Sequence, residues 1–253
     1  MKIGSVIKRW VRKCLYRENA TSEDLLNYLR SRGANISQNV VVYAPDKTLI
    51  DKTAPWLLEI GDRVRITEGV KILTHDYSWS VLKCMDNEDI RPGQILGAQS
   101  AVVIGSNVFI GVNAVITRGV TIGDNVIIGA GSVVTRDCET NSVYAGNPAR
   151  KIMGIEDFYR KRKEKQLAEA KALAIRYRKL FGKDPGIEVF REYFMLFSSK
   201  EAAENDVFKA QMQTCWNYEE CLDFMNDHAP MFPDYDTFLR ECYQDMSEEE
   251  RKA

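Results

Sequence analysis

Two histidines stand alone in a chain of 253 residues: His75 in ILTHDYSW and His228 in FMNDHAPMF. Imidazole is the side chain suited to take a proton from a hydroxyl or an amine near neutral pH. His75 ends a regular apolar series, where rigid backbone would hold it beside a stretch of open chain, and a general base is expected there. His228 falls in a helical stretch and reads as structural. Two histidines cannot supply the three imidazoles of a carbonic-anhydrase-type centre, so no metal site is expected. The six cysteines (14, 84, 138, 215, 221 and 242) make no CxxC pair and no tight disulfide spacing. With no secretory leader recognisable ahead of them, free thiols and a cytoplasmic location are expected.

The backbone that must position His75 has neither helical nor two-residue periodicity. Ile104, Ile110, Ile116, Ile122, Ile128 and Val134 recur every six residues, as do Ile60, Ile66 and Ile72, with a weaker echo at Ile36 and Val42. A six-residue repeat suits one face of a triangular coil whose turns stack into parallel sheets about 4.8 Å apart. The aliphatic anchors point into the prism. Gly105, Gly111, Gly123 and Gly129 beside them permit close backbone approach, and Val108, Ala114, Val120, Val126, Gly131 and Ser132 fill other inward or corner places. Such a stack needs caps at its ends.

The repeat breaks off between Thr74 and about Ala98, where HDYSWSVLKCMDNEDIRPGQI reads as an extruded loop, long enough to suggest a task. Asp76 adjoins His75, but neighbours on extended chain point to opposite sides, so Asp76 is not expected to orient the imidazole. The expected organisation is an N-terminal helical cap (1–33), the β-helix (34–153, loop 75–98) and a C-terminal α-helical extension (154–253). Thr21 or Ser22 should cap a helix ending near Gly33. AEAKALAIRYRKLF, EVFREYFMLF, EECLDFMND and YDTFLRECYQD should be helices, with Phe190, Tyr193, Phe194, Phe197, Trp216, Phe224 and Phe238 in a core.

Net charge is −1, but residues 1–20 carry six basic groups against one acidic, and residues 201–253 fourteen acidic against four basic. This argues against nucleic-acid binding and for distinct regions. The apolar stripe at Ile3, Ile7, Val11, Cys14 and Leu15 predicts a helix packed on protein, or else a peripheral membrane contact through residues 3–15. No apolar run is long enough to span a bilayer.

IGSNVFIGVNAVI, TIGDNVIIGAGSVVTRD and VYAGNPARKI, within about residues 34–152, resemble the hexapeptide-repeat acetyltransferases of sugars, antibiotics and serine. The resemblance implies an all-β left-handed parallel β-helix core, acetyl-CoA as co-substrate, and a homotrimer with active sites between subunits. It also implies His75 as the base. By residue it places Val112, Ala130, Thr135, Arg136 and Arg150 at the cofactor, Arg150 on its phosphates, where a guanidinium forms charge-assisted bonds. Asp51 resembles an acidic position on the substrate side. Tyr77 and Trp79 would line the acceptor cleft with flat apolar faces.

The chain departs from the family in three ways: Val112 stands where many relatives have a small residue, the helical tail is long, and the sugar-site match is poor. The expected activity is O-acetylation of a saccharide or glycan precursor, as in polysaccharide biosynthesis. N-acetylation of an amino sugar or other small amine, and a noncatalytic trimeric scaffold, are the alternatives. Too little chain precedes the repeats for a nucleotidyltransferase domain, and the long helical domain of the serine acetyltransferases is missing.

Overall fold

The computed structural model describes residues 11, 13–198 and 200–244. The chain divides into two compact units, residues 1–158 and 159–253.

In the first unit, helix α1 (Ser22–Ser31) starts at Thr21, whose hydroxyl accepts from the Asp24 backbone N–H at 3.1 Å and donates to the Asp24 carboxylate at 2.8 Å. It ends before Gly33, whose φ of +97° suits a residue without a β-carbon. Leu25, Leu26 and Leu29 of α1 are buried in one core with Ile36, Val40 and Val42, so the helix caps the stack. Ile3 and Ile7 of the expected N-terminal stripe lie outside the described residues; Val11 and Leu15 are exposed.

The chain then winds. The first turn runs through β1 (Asn35–Ile36), β2 (Val40–Val42) and β3 (Leu49–Ile50), the second through β4 (Leu58–Ile60), β5 (Val64–Ile66) and β6 (Lys71–Ile72). The third holds β7 (Val102–Ile104), β8 (Phe109–Ile110) and β9 (Val115–Ile116), the fourth β10 (Thr121–Ile122), β11 (Val126–Ile128) and β12 (Val133–Val134). Each strand pairs in parallel with its equivalent one turn on, giving three sheets: β1-β4-β7-β10, β2-β5-β8-β11 and β3-β6-β9-β12. This is a left-handed β-helix. The second sheet continues into β13 (Ser142–Gly146) and ends with antiparallel β14 (Ala149–Gly154).

The predicted anchors form the interior. Ile60, Ile104 and Ile122 stack on the first sheet, Ile66, Ile110 and Ile128 on the second, and Ile72, Ile116 and Val134 on the third, all buried. Each such side chain contributes about 1.5–3 kcal/mol on leaving water. A β-carbon at Gly111 would sit 2.5 Å from the Ala130 nitrogen, so glycine is there for close approach between turns. One corner escaped the sequence reading. Asn107, Asn125 and Asn141 recur with φ of 55°, 56° and 57°, a left-handed conformation that asparagine tolerates. Their amides form a ladder, Asn107 donating to Asn125 at 2.9 Å and Asn125 to Asn141 at 2.8 Å.

Between the second and third turns the chain leaves the stack. His75 and Gln99 form an antiparallel bridge that pinches the loop at its base, with bonds from Asp76 N–H to Ala98 C=O (2.9 Å) and Ser100 N–H to Thr74 C=O (3.0 Å). Inside the loop is one short helix, α2 (Trp79–Lys83).

Helix α3 (Ile155–Phe181) follows the last strand. In the second unit, α4 (Asp206–Met212), α5 (Tyr218–Asp227) and α6 (Tyr235–Cys242) pack round an aromatic core that includes Phe190, Phe194, Phe197 and Phe238. The predicted helix at EVFREYFMLF is instead two short 3-10 segments, Ile187–Phe190 and Phe194–Leu196, joined by a turn. Trp216 and Phe224 depart from the expected core and are exposed. His228 stacks on Phe224 (4.2 Å between ring centroids) and its Nδ1 lies 3.0 Å from the Phe224 carbonyl oxygen.

Candidate active site

The corner that follows the third sheet carries Asp51 in the first turn, Leu73–Thr74–His75 in the second, Thr117 and Arg118 in the third, and Thr135 and Arg136 in the fourth. Strand pairing sets them in one column: Ile50 lies beside Ile72, Ile72 beside Ile116, and Ile116 beside Val134.

Asp51 is buried, and its carboxylate is turned to the next turn of the stack. Oδ2 lies 2.5 Å from His75 Nδ1 and accepts from the Thr74 hydroxyl at 2.6 Å and the Thr74 N–H at 3.2 Å. Oδ1 accepts from the Thr53 N–H at 2.9 Å. Burial pushes the carboxyl's pKa up, but the bonds from Thr74, Thr53 and His75 outweigh it and hold the group well below the ordinary carboxylate range. Asp51 is therefore ionised at neutral pH and can only accept. Nδ1 of a neutral His75 must carry the proton, which leaves the Nε2 lone pair available. The imidazole is 40% exposed against 4% for the Asp51 side chain, so the base reaches solvent and its partner does not. The sequence reading set Asp51 against the substrate; in the structure its two carboxylate oxygens are engaged by Thr53, Thr74 and His75.

Two clefts meet at Leu73 and His75. One, of about 530 Å³, faces the start of the stack and is lined by Asn19, Asp46, Lys47, Asp51 and Lys52 among others. The second, of about 540 Å³, is lined by Asp76, Tyr77, Thr117, Arg118 and Thr135. The second thus brings together His75, Tyr77 and Thr135, three of the residues picked from sequence. Trp79 packs edge-on against Tyr77, with ring centroids 4.8 Å apart, but lines neither cleft. Asp76 accepts from the Ser78 N–H at 2.7 Å and stands 4.0 Å from Arg118 Nε.

The remaining expected residues lie elsewhere on the chain. Val112 and Ala130 are exposed at the corner that precedes the third sheet, so that sheet lies between them and His75 within one chain. Arg150 is exposed on β14, its guanidinium donating to the Ala149 carbonyl at 2.9 Å. Arg136 is exposed beside Thr135. Sequence reasoning missed Thr74 and Thr53 as partners of Asp51. It also missed Asn19, Lys52, Thr117 and Arg118, the last two signalled by ITRG repeating VTRD one turn earlier.

A sequence model described as the hexapeptide repeat of succinyl-transferase matches residues 101–136. Protein CapG of Staphylococcus aureus is 40% identical over 131 residues, 51% of this chain and 71% of CapG. The chain belongs to the hexapeptide-repeat acetyltransferase family. Among solved structures, a maltose O-acetyltransferase from Clostridium difficile 630 is 30% identical, with 60% of this chain and 89% of that one aligned at a TM-score of 0.41. A galactoside acetyltransferase in complex with coenzyme A is 28% identical, with 62% and 85% aligned at 0.38.

No helix among the described residues is long and apolar enough to cross a membrane. Among the same residues no cluster of histidine, cysteine and carboxylate side chains has the makings of a metal site.

Proposed function

We propose that the protein transfers the acetyl group of acetyl-CoA to a hydroxyl of a saccharide, with His75 as general base and Asp51 as its positioning residue. The observation that carries this reading is the Asp51–His75 pair at the junction of two clefts. A base needs substrates on both sides, one to lose a proton and one to be attacked.

The shapes of the two sides suggest which substrate goes where. A pantetheine arm is long and thin and suits the line of Thr117 and Thr135 down the stack, toward Arg136 and, at the far end, Arg150. Their guanidiniums would meet the phosphates of the nucleotide end. The opposite cleft, walled by the N-terminal turn and the first coil, suits a compact acceptor. Tyr77, on the second cleft with His75, offers a flat face to the part of a sugar ring that reaches past the imidazole, and Trp79 packs against it.

His75 Nε2 then takes the hydroxyl proton as that oxygen bonds to the thioester carbonyl carbon. The C–S bond breaks, and the proton passes from His75 to the departing thiolate. Asp51 keeps the proton on Nδ1 and stabilises the imidazolium formed in passing. Fixing both reactants on a rigid coil removes part of the entropic barrier. Val112 and Ala130 border the cofactor in this reading only if a neighbouring copy presents its other corner to His75. A homotrimer with three shared sites meets that need; sedimentation giving the mass of a single chain at assay concentration would refute it.

Calorimetric titration with acetyl-CoA, on wild type and His75→Ala, tests the assignment. Both should bind with affinities within about threefold, and transfer to sugar should fall by about a hundredfold or more in the variant, as for loss of a general base. A folded wild type that binds no acetyl-CoA, or a His75→Ala protein that transfers normally, would sink it.

A further inference from the structure

The acceptor cleft has one wall that does not belong to the β-helix. It is the 3-10 turn Arg17–Asn19, which brings Asn19 into the cleft that holds Asp51 and His75. The Lys52 side chain ties that turn to the first coil. Lys52, next in sequence to Asp51, donates from Nζ to Asn19 Oδ1 at 2.7 Å and to Glu18 Oε1 at 2.8 Å, and its ammonium stands 5.5 Å from the centre of the Tyr28 ring. Lys52 is largely covered, at 29% side-chain exposure.

This bond decides how the Asn19 amide faces. An ammonium has only donors, so the Asn19 atom that meets it is the oxygen. The two N–H bonds of Nδ2 point away from Lys52, and among the described residues no protein acceptor takes them. The lining of the cleft therefore includes a neutral amide whose oxygen is taken by Lys52 and whose two N–H donors have no protein acceptor among the described residues, in the same cleft as Asp51 and His75. Its cations are spoken for: Lys47 is bonded to Glu68 at 2.6 Å and Lys52 to Glu18. With Asp46 and Asp51 also on the lining, the described residues of the cleft offer a phosphate or carboxylate no lysine that is not already paired with a carboxylate.

Resting on the reading above, we propose that Asn19 is a specificity-determining residue, donating to a hydroxyl or ring oxygen of an uncharged saccharide acceptor, and that Lys52 is the residue that aims it. The class of acceptor follows from the chemistry of the wall. An amide donor matches a sugar oxygen, and a charge-balanced cleft disfavours a sugar phosphate.

The test is steady-state acetyl transfer to glucose, galactose, N-acetylglucosamine and glucose 6-phosphate, with acetyl-CoA and acceptor varied separately. For the best sugar, Asn19→Ala should raise the acceptor KM by roughly three- to tenfold, the worth of one neutral hydrogen bond. The KM for acetyl-CoA should stay within about twofold by the same reasoning. Lys52→Met should shift the acceptor KM in the same direction, and Lys52→Arg, which can still donate to both partners, should restore most of it. A purely structural role for Lys52 would show no such split between the two KM values. An unchanged acceptor KM in Asn19→Ala, a change confined to acetyl-CoA, or a wild-type preference for glucose 6-phosphate each overturns the proposal. Normal wild-type transfer with any of these results leaves the acetyltransferase reading standing. Wild type that acetylates none of the sugars defeats that reading and this one together.

Discussion

Replacing Asp51 with asparagine changes one atom and tests the core of the argument. Oδ2 of Asp51 faces three donors, from His75 Nδ1, the Thr74 hydroxyl and the Thr74 N–H, while Oδ1 faces the Thr53 N–H. An amide has one oxygen. If it faces Thr74 and His75, its NH2 opposes the Thr53 N–H; if it faces Thr53, the NH2 opposes the Thr74 N–H and pushes the His75 proton to the wrong nitrogen. In both cases the charge is gone. A hydrogen bond to a charged group is worth about 1.5–3 kcal/mol, so kcat should fall on the order of ten- to a hundredfold, with the KM for acetyl-CoA little changed. Thermal unfolding should show a loss of about 1–3 kcal/mol from the donors left facing a donor. The pH dependence gives a second readout. The native Asp51 pKa is depressed, so its contribution to stability is fully present above the unfolded carboxyl value near 4. It is lost as pH falls below that value toward the lower native one. The melting temperature of wild type should therefore drop more steeply than that of Asp51→Asn as pH is lowered from about 5. A folded Asp51→Asn protein with wild-type kcat would refute the positioning role, and parallel acid profiles would refute the ionised, hydrogen-bonded carboxylate.

Two further expectations concern the scaffold. Gly111→Ala would bring a methyl to 2.5 Å from the Ala130 nitrogen and 2.8 Å from the Gly129 carbonyl carbon. Denaturant unfolding should show a loss of about 1–3 kcal/mol, and unaltered stability would mean that the turns can spread. In native protein a thiol reagent should modify Cys84, which is exposed on the loop. It should spare Cys138, pushed up to about 12 by burial, and Cys242, pushed up to about 11 mainly by burial. Mass spectrometry with equal labelling of Cys84 and Cys138 before unfolding would contradict the burial of Cys138 where it bridges Ile122 of the fourth turn.

The prism was legible because its signal is local and repeated. Each hexapeptide carries its own anchor, so Ile104, Ile110 and Ile116 announce three faces without any knowledge of partners. The loop was legible as the place where anchors stop. The second unit was harder to read: EVFREYFMLF has helical apolar spacing, yet Phe190, Phe194 and Phe197 are drawn into one aromatic cluster by two 3-10 segments and a turn. Tertiary packing there overrode local periodicity. The asparagine corner was missed for another reason. Its residues are polar and exposed, and a search for apolar period passes over them, although Asn107, Asn125 and Asn141 mark successive turns as faithfully as the isoleucines do.

The Asp51–His75 pair shows where repeat reasoning stops. A regular turn of three hexapeptides would set Ile50 beside Glu68 and leave Asp51 opposite Gly69, out of reach of any histidine. Extra residues at the corner 51–57 stretch the step from Ile50 to Ile60 beyond the six of a regular hexapeptide, so that Ile50 pairs with Ile72 instead. The Asp51 N–H then bonds the Ile72 carbonyl at 3.0 Å, and its carboxylate arrives against Thr74 and His75. The irregular first turn thus fixes the register that joins the carboxylate to the imidazole. The bridge between His75 and Gln99 keeps that imidazole on the stack while the loop departs. Both devices are departures from the hexapeptide period, and both converge on one side chain. In a fold made of near-identical turns, irregularity is what distinguishes one corner from the others, and the candidate chemistry sits where the repeat is broken twice.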